Sequence, residues 1–216
     1  MRNVYVYCEG QTEEAFVVSV LQPYFIQQDI VVQPIICTTS RKHGKAFKGG
    51  VTTYQRIRHD LSRICLQHRN EKVTTLFDLY GLPQDTPGLN NGDVDLYKKA
   101  EFIENEIGKD MGLPNLQFHL ALHEFEALLF SDPSAFSGVT DEKTVESLVD
   151  IRNAFPNPEY INNSVSTAPS KRILQLIPYY SKVSHGSMLA KEIGIEVMRR
   201  ECPHFDKWIQ DISNFT

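Results

Sequence analysis

Acidic residues at three places, each where an apolar run gives way to a turn, carry the chemistry legible in this chain. Glu9 follows Val4-Tyr5-Val6-Tyr7-Cys8 and precedes Gly10, Asp78 closes the run at 72–77, and Glu124 and Glu126 follow the run at 116–122. Burying part of a carboxylate is costly unless a cation or hydrogen bonds satisfy it. Carboxylate oxygens gathered in one place suit Mg²⁺ or Mn²⁺, hard cations that take carboxylate and water ligands. Such an ion polarises a phosphodiester and activates water. Glu9 has the strongest claim, because it precedes the glycine and cannot be the N-cap of the helix that follows. Glu13 and Glu14 have a ready alternative in stabilising the dipole of that helix, and Glu14 is assigned to it.

In His123-Glu124-Phe125-Glu126, helical geometry imposes a choice. Two residues apart on a helix means roughly 200°, so Glu124 and Glu126 cannot both face one ion, whereas Glu126 stands about 60° from His123. Glu126 is the favoured ligand and Glu124 the second candidate. His123 is read as an orienting or phosphate-contacting group, or equally as a hydrogen-bonded histidine at a helix start. A zinc site reads poorly: His119 and His123 are suitably spaced, but no HExxH or cysteine pair completes it, and His119 is taken as an ordinary strand residue. Cys8, Cys37, Cys65 and Cys202 are scattered. Cys8 and Cys37 lie in apolar strands and should be inert, the pattern of reduced thiols in a cytosol. Cys202-Pro203-His204-Phe205, with Trp208, is assigned to packing the last helix.

A third feature is positive. The stretch Thr38-Thr39-Ser40-Arg41-Lys42-His43-Gly44-Lys45-Ala46-Phe47-Lys48-Gly49-Gly50 reads as a polar loop at the carboxyl end of the second strand. It lacks the spacing of a Walker A loop. Arg41, Lys42, Lys45 and Lys48 beside an acidic edge suit a polyanion held against a metal; a solvated connection is the alternative.

These residues need a frame that brings them together. Strands are expected at 4–8, 30–37, 72–77 and 116–122. Helices are expected at 13–27 with Thr12 as cap, at 52–68, at 94–109 with Asp93 as cap, and from about 123. Strands alternating with helices imply an α/β fold with a mainly parallel sheet, whose carboxyl ends all lie on one edge. Beyond 131 the pattern is helical (142–152, 171–176, 187–201, 205–212). The division expected is an α/β core over 1–130 and a helical extension over 131–216 packed on it. The chain has 216 residues, net charge −5 and 41% hydrophobic residues, so nucleic-acid binding must rest on a local basic patch. Nothing at the start resembles a signal peptide and no apolar run is long enough to span a membrane; a cytoplasmic protein is expected.

Tyr7-Cys8-Glu9-Gly10-Gln11-Thr12-Glu13-Glu14-Ala15-Phe16 resembles the opening motif of TOPRIM domains, the metal-binding fold of topoisomerases, primases and overcoming-lysogenization-defect (OLD) nucleases. With Asp78-Leu79-Tyr80-Gly81-Leu82-Pro83 and His123-Glu124-Phe125-Glu126-Ala127-Leu128-Leu129-Phe130, it is similar to a TOPRIM-like bacterial family described only as a domain of unknown function. The resemblance implies a Rossmannoid fold, Mg²⁺ or Mn²⁺ as cofactor, and neighbouring ATPases in phage defence. It assigns Glu9 to the first TOPRIM glutamate, Asp78 to the first aspartate of Asp-x-Asp and Glu126 to the acid after the fourth strand. Position 80 is Tyr, so the second aspartate is missing, with Asp85, Asp93 and Asp95 as candidates to replace it.

Three functions compete: a Mg²⁺-dependent nuclease acting on DNA or RNA as the effector of an ATPase partner, a non-catalytic module that binds nucleic acid or a nucleotide, and phosphoryl chemistry on a small metabolite. The basic stretch supplies a first test. Replacing Lys42, Lys45 and Lys48 with Ala should weaken nucleic-acid binding and flatten its salt dependence, the slope falling by about 0.7–0.9 for each phosphate no longer neutralised. An unchanged slope in a salt titration returns the stretch to a solvated connection.

Overall fold

The computed structural model describes residues 1–42, 45–48, 53–92, 95–162 and 166–214, with 38–42 and 45–48 described by backbone alone. Strands β1 (Arg2–Cys8), β2 (Ile30–Ile36), β5 (Lys72–Asp78), β6 (Leu116–Gln117) and β7 (Leu120–Ala121) form one sheet in the order β2-β1-β5-β6, with β7 also on β5. All pairings are parallel. The chain leaves β1 for β2 on one side and later returns to β5 on the other. The strand order therefore reverses between β1 and β5, the crevice where open α/β sheets place ligands.

The expected mainly parallel α/β sheet is what forms, and the departures from expectation have local causes. The first helix begins earlier, at α1 (Gln11–Phe16), passes through a π-helical turn over Val17–Leu21, and continues as α2 (Gln22–Phe25). Its start is held by the Glu13 carboxylate, which accepts the Gly10 N–H at 2.8 Å, and Thr12 does not cap it. The stretch expected as a loop folds instead into a two-stranded antiparallel ribbon, β3 (Thr38–Lys42) and β4 (Lys45–Lys48), with Arg41 opposite Ala46 and Lys42 opposite Lys45. Helix α3 spans Tyr54–Gln67 and α4 spans Leu96–Met111. Asp95 caps α4 by accepting the Lys98 N–H, and Asp93 lies outside the described residues.

The fourth strand is broken. β6 pairs with Val73 and Thr74, β7 with Phe77 and Asp78, and the residues between make no ladder. Thr75 Oγ1 fills the gap, accepting the His119 N–H at 2.8 Å and donating to the His119 carbonyl at 2.7 Å. A buried backbone pair thus stays satisfied where the strand is interrupted.

Each face of the sheet has its own cover. Alternate side chains of β1 divide between them: Val4, Val6 and Cys8 pack with Phe16, Leu21 and Phe25, and Tyr7 packs with α3 and α4 through Ile57, Leu61, Ile103 and Ile107. The first cluster runs on into α5 (Glu142–Asn153), α6 (Pro169–Leu176), α7 (Ser184–Ile193), α8 (Ile195–Glu201) and α9 (Pro203–Ser213), through Leu148, Ile173, Leu189, Met198, Trp208 and Ile212. The helix expected over 187–201 is two helices, parted at Gly194, whose φ of +77° lies in the left-handed region that glycine adopts without strain.

Buried Glu159 anchors α9. It accepts the His204 and Phe205 N–H groups at 3.1 and 2.9 Å and the Tyr97 hydroxyl at 2.9 Å. Glu159→Gln exchanges one acceptor oxygen for a donor and should destabilise the chain by about 1–3 kcal/mol. Urea unfolding followed by circular dichroism measures it, and an unchanged midpoint would show that α9 docks without this bond.

Candidate acidic site at the strand switch point

Glu9 leaves the end of β1 and Asp78 ends β5, so the parallel register brings them side by side across the switch point. The Asp78 N–H donates to Glu9 Oε2 at 3.3 Å. The following turn, Leu79–Gly81, wraps closely enough that a Cβ added at Gly81 would lie 2.8 Å from Glu9 Oε2 and 3.0 Å from Oε1. Glycine at 81 is therefore what lets the Glu9 carboxylate occupy this place.

The segment after β7 is where helical reasoning fails. His123 has φ +69°, Glu124 is extended, and Phe125–Ser131 is a 3₁₀ stretch, not an α-helix. The 200° separation of an α-helix does not apply, and both glutamates approach one cation. Lys182 Nζ stands 3.2 Å from Glu126 Oε2 and 3.9 Å from Glu124 Oε1. Glu124 is further held by the Ser170 N–H, at 3.0 Å from its Oε2.

Glu13, for which helix-dipole stabilisation is the alternative reading, belongs to the same neighbourhood. It is buried, and that burial together with the charge of Glu9 raises its pKa. Its own charge in turn helps raise Asp78. His123 Nδ1 lies 3.2 Å from Asn162 Nδ2, and its ring stacks on Tyr80, with centroids 5.4 Å apart. Tyr80, in the place of the missing aspartate, is exposed. Two of the three substitutes considered for it are occupied elsewhere: Asp85 accepts the Tyr54 N–H at the start of α3, and Asp95 caps α4, while Asp93 lies outside the described residues. The side chains of Arg41, Lys42, Lys45 and Lys48 lie outside the described residues.

A family model described as a domain of unknown function, DUF4276, matches residues 8–213. The chain belongs to the DUF4276 family. No curated protein matches it. Among solved structures, it is similar to the C-terminal region of the Burkholderia pseudomallei OLD protein, at 14% identity and TM-score 0.46, covering 99% of each chain. It is likewise similar to the C-terminal region of the Xanthomonas campestris pv. campestris OLD protein, at 13% identity and TM-score 0.39, covering 96% of this chain and 95% of that one.

The DUF4276 chain leaves three polar atoms at this site buried without a hydrogen-bond partner: Asp78 Oδ1, Glu126 Oε1 and the Tyr180 hydroxyl. An unsatisfied buried polar atom costs about 1–3 kcal/mol, so three together make this place expensive for the chain as it stands. Carboxylate oxygens of this kind fit a hard divalent cation. Among the described residues, no three of the site's acidic side chains bring oxygens within 4.8 Å of one another.

Crowding sets the protonation. Burial, then the charges of Glu13, Glu9, Glu126 and Glu124, push Asp78 well above the usual carboxylate range. Burial pushes Glu126 up to about 7 against the pull of Lys182. Burial also raises Glu9, and it lowers His123 to about 4, so His123 is neutral at pH 7. Sequence reasoning missed Lys182 and Tyr180, which no motif marks, and Glu13, whose place in a first helical turn offered a simpler account. The Gly10-Gln11-Thr12-Glu13 spacing was the available signal, since a carboxylate at this position reaches back to the Gly10 N–H.

A group whose folded pKa is raised favours the protonated native state, so its stabilisation is present below the unfolded value of 4.5 and is lost as pH rises through 7. The metal-free chain should thus lose stability between about pH 5 and 8, with Glu126 contributing on the order of 3 kcal/mol. Glu126→Gln should flatten the curve. Melting temperatures across that range check it, and a wild type that gains stability with pH would contradict the crowding described.

Proposed function

We propose that this protein is a Mg²⁺- or Mn²⁺-dependent phosphodiesterase that cleaves nucleic acid, DNA or RNA, of TOPRIM-like type. The observation that carries the proposal is the pair of unpartnered buried oxygens, Asp78 Oδ1 at the end of β5 and Glu126 Oε1 on the carboxylate that Lys182 pairs with. Glu9, Asp78 and Glu126 would hold the ion, partly through its waters, with Glu124 as a further ligand. Bound there, the ion supplies charge neutralisation at the phosphate and a more acidic water.

The chain's own residues supply the rest. Glu9, raised by burial yet hydrogen-bonded by the Asp78 N–H, is suited to taking a proton from water or returning one to a leaving oxygen. Lys182 already balances Glu126 and Glu124, and a phosphate drawn against that edge meets its ammonium group. Neutral His123, held by Asn162 and stacked on Tyr80, is placed as a hydrogen-bonding contact for a phosphate. Arg41, Lys42, Lys45 and Lys48, whose side chains lie outside the described residues, are proposed from the sequence alone as further phosphate contacts. An ATPase partner in a phage-defence setting rests on the sequence motifs alone, and a cleavage rate that changes with ATP when the partner is added would support it.

Tyr80 favours a second reading, a binding module without catalysis, because it stands where the second aspartate would be and both Asp85 and Asp95 are engaged elsewhere. One experiment separates the two. With Mn²⁺ and single- and double-stranded DNA and RNA, the wild type should cleave, Glu9→Gln should abolish cleavage while keeping its circular dichroism spectrum, and Lys182→Met should lower kcat by about 10²-fold. Tight, salt-dependent binding by a wild type that cleaves nothing under any divalent metal would establish the module instead.

A further inference from the structure

A second cluster of metal-ligating side chains lies away from the acidic site. Glu104 on α4, His119 at the break between β6 and β7, and His204 at the start of α9 each bring one ligating atom within 4.8 Å of the others, the one such group among the described residues. Glu104 Oε1 lies 2.9 Å from His204 Nε2 and 3.6 Å from His119 Nδ1. In a tetrahedral zinc site with bonds of about 2.0–2.1 Å, donor atoms stand roughly 3.3 Å apart, and these two separations straddle that edge.

A buried ion pair between Glu104 and His204 accounts for two members of the cluster and leaves the third unexplained. His119 is 5% exposed, yet its Nδ1 stops beyond hydrogen-bonding distance of Glu104, and among the described residues no side chain bonds to either ring nitrogen. Its faces are taken, by the Trp208 ring at 4.5 Å and an interplanar angle of 4°, and by the His204 ring at 4.9 Å. Such stacking fixes the plane of the imidazole and points its edge at Glu104. Glu104 is oriented in turn by the Leu120 N–H, which donates to Oε1 at 2.8 Å, the kind of outer bond that steadies a ligating carboxylate. An entry path exists, because all three residues line a cleft of about 490 Å³.

We infer that Glu104, His119 and His204 form a second cation site, built for a first-row transition ion such as Zn²⁺ and closed to Mg²⁺. Two imidazoles and one carboxylate, with a position left to water, match zinc and its neighbours in the series, whereas magnesium prefers oxygen alone. The ion clasps α4, the interrupted edge strand and α9 together.

The test uses the full, tag-free chain, stripped with EDTA and kept in excess Mg²⁺ so that the acidic site is blocked. One zinc per chain should survive gel filtration, with affinity for Zn²⁺ at least about a hundredfold above that for Mg²⁺. Co²⁺ in its place should give the visible absorption of a low-coordinate site. His119→Phe keeps the stack on Trp208 and removes the nitrogens, and Glu104→Gln keeps an acceptor for Leu120; both should fold and lose the zinc. Glu9→Gln and Glu126→Gln should keep it. Zinc retained by folded His119→Phe, lost in Glu9→Gln, or never bound by the wild type would each overturn the inference.

Discussion

Everything at the candidate site follows from placing carboxylates at the ends of adjacent parallel strands. Parallel pairing of β1 with β5, Cys8 opposite Leu76, sets Glu9 and Asp78 next to each other with no freedom to part. Burial there costs more for a charged than for a neutral acid, so the native state must find positive charge or protons. It uses both. Lys182 reaches in from the C-terminal half, and Asp78 and Glu126 are held protonated to higher pH than free carboxylic acids. A divalent ion would meet the same need more completely, which is the physical link between this strained charge balance and metal chemistry.

The C-terminal half therefore completes the site as well as covering the sheet. Lys182 and Tyr180 come from the connection before α7, the Ser170 N–H that steadies Glu124 comes from the first turn of α6, and Asn162 contacts His123. The same helices share one hydrophobic cluster with β1 and α1, through Phe205 and Trp208. A change that loosens their docking should consequently reach the acidic residues, through Lys182 first.

Strand ends were legible from sequence because an apolar β-branched run and its terminal acid are both local signals: β1 and β5 end within a residue of where Glu9 and Asp78 place them. Helices α3 and α4 were legible for the same reason, through their 3.6-residue spacing. What escaped was set by distant partners. Nothing near residue 123 announces that His123 takes a left-handed conformation, and that single departure undoes the helical choice between Glu124 and Glu126. The basic stretch folds as a ribbon because strand pairing depends on its other half, which periodicity in so short a segment does not reveal. Lys182 is one lysine in an ordinary connection, and its meaning comes only from Glu126 across 56 residues.

The interrupted edge strand ties the acidic site and the Glu104–His119–His204 cluster to one cause. An unbroken fourth strand would commit the backbone of Phe118 and His119 to ladder bonds with β5. Thr75 instead satisfies His119 through a side chain, and pairing resumes with Ala121 opposite Asp78. An irregularity of this sort re-aims the residues on either side of it. Before the break it presents His119 to Glu104 and His204; after it, the chain is delivered to Asp78 in the register that puts Glu124 and Glu126 beside Lys182. Thr75 is fully buried in β5, two residues past Val73 and three before Asp78. Its hydroxyl is the shared support: replacing it with valine would leave the His119 backbone unsatisfied, disturbing an oxygen-rich site on one side and an imidazole site on the other.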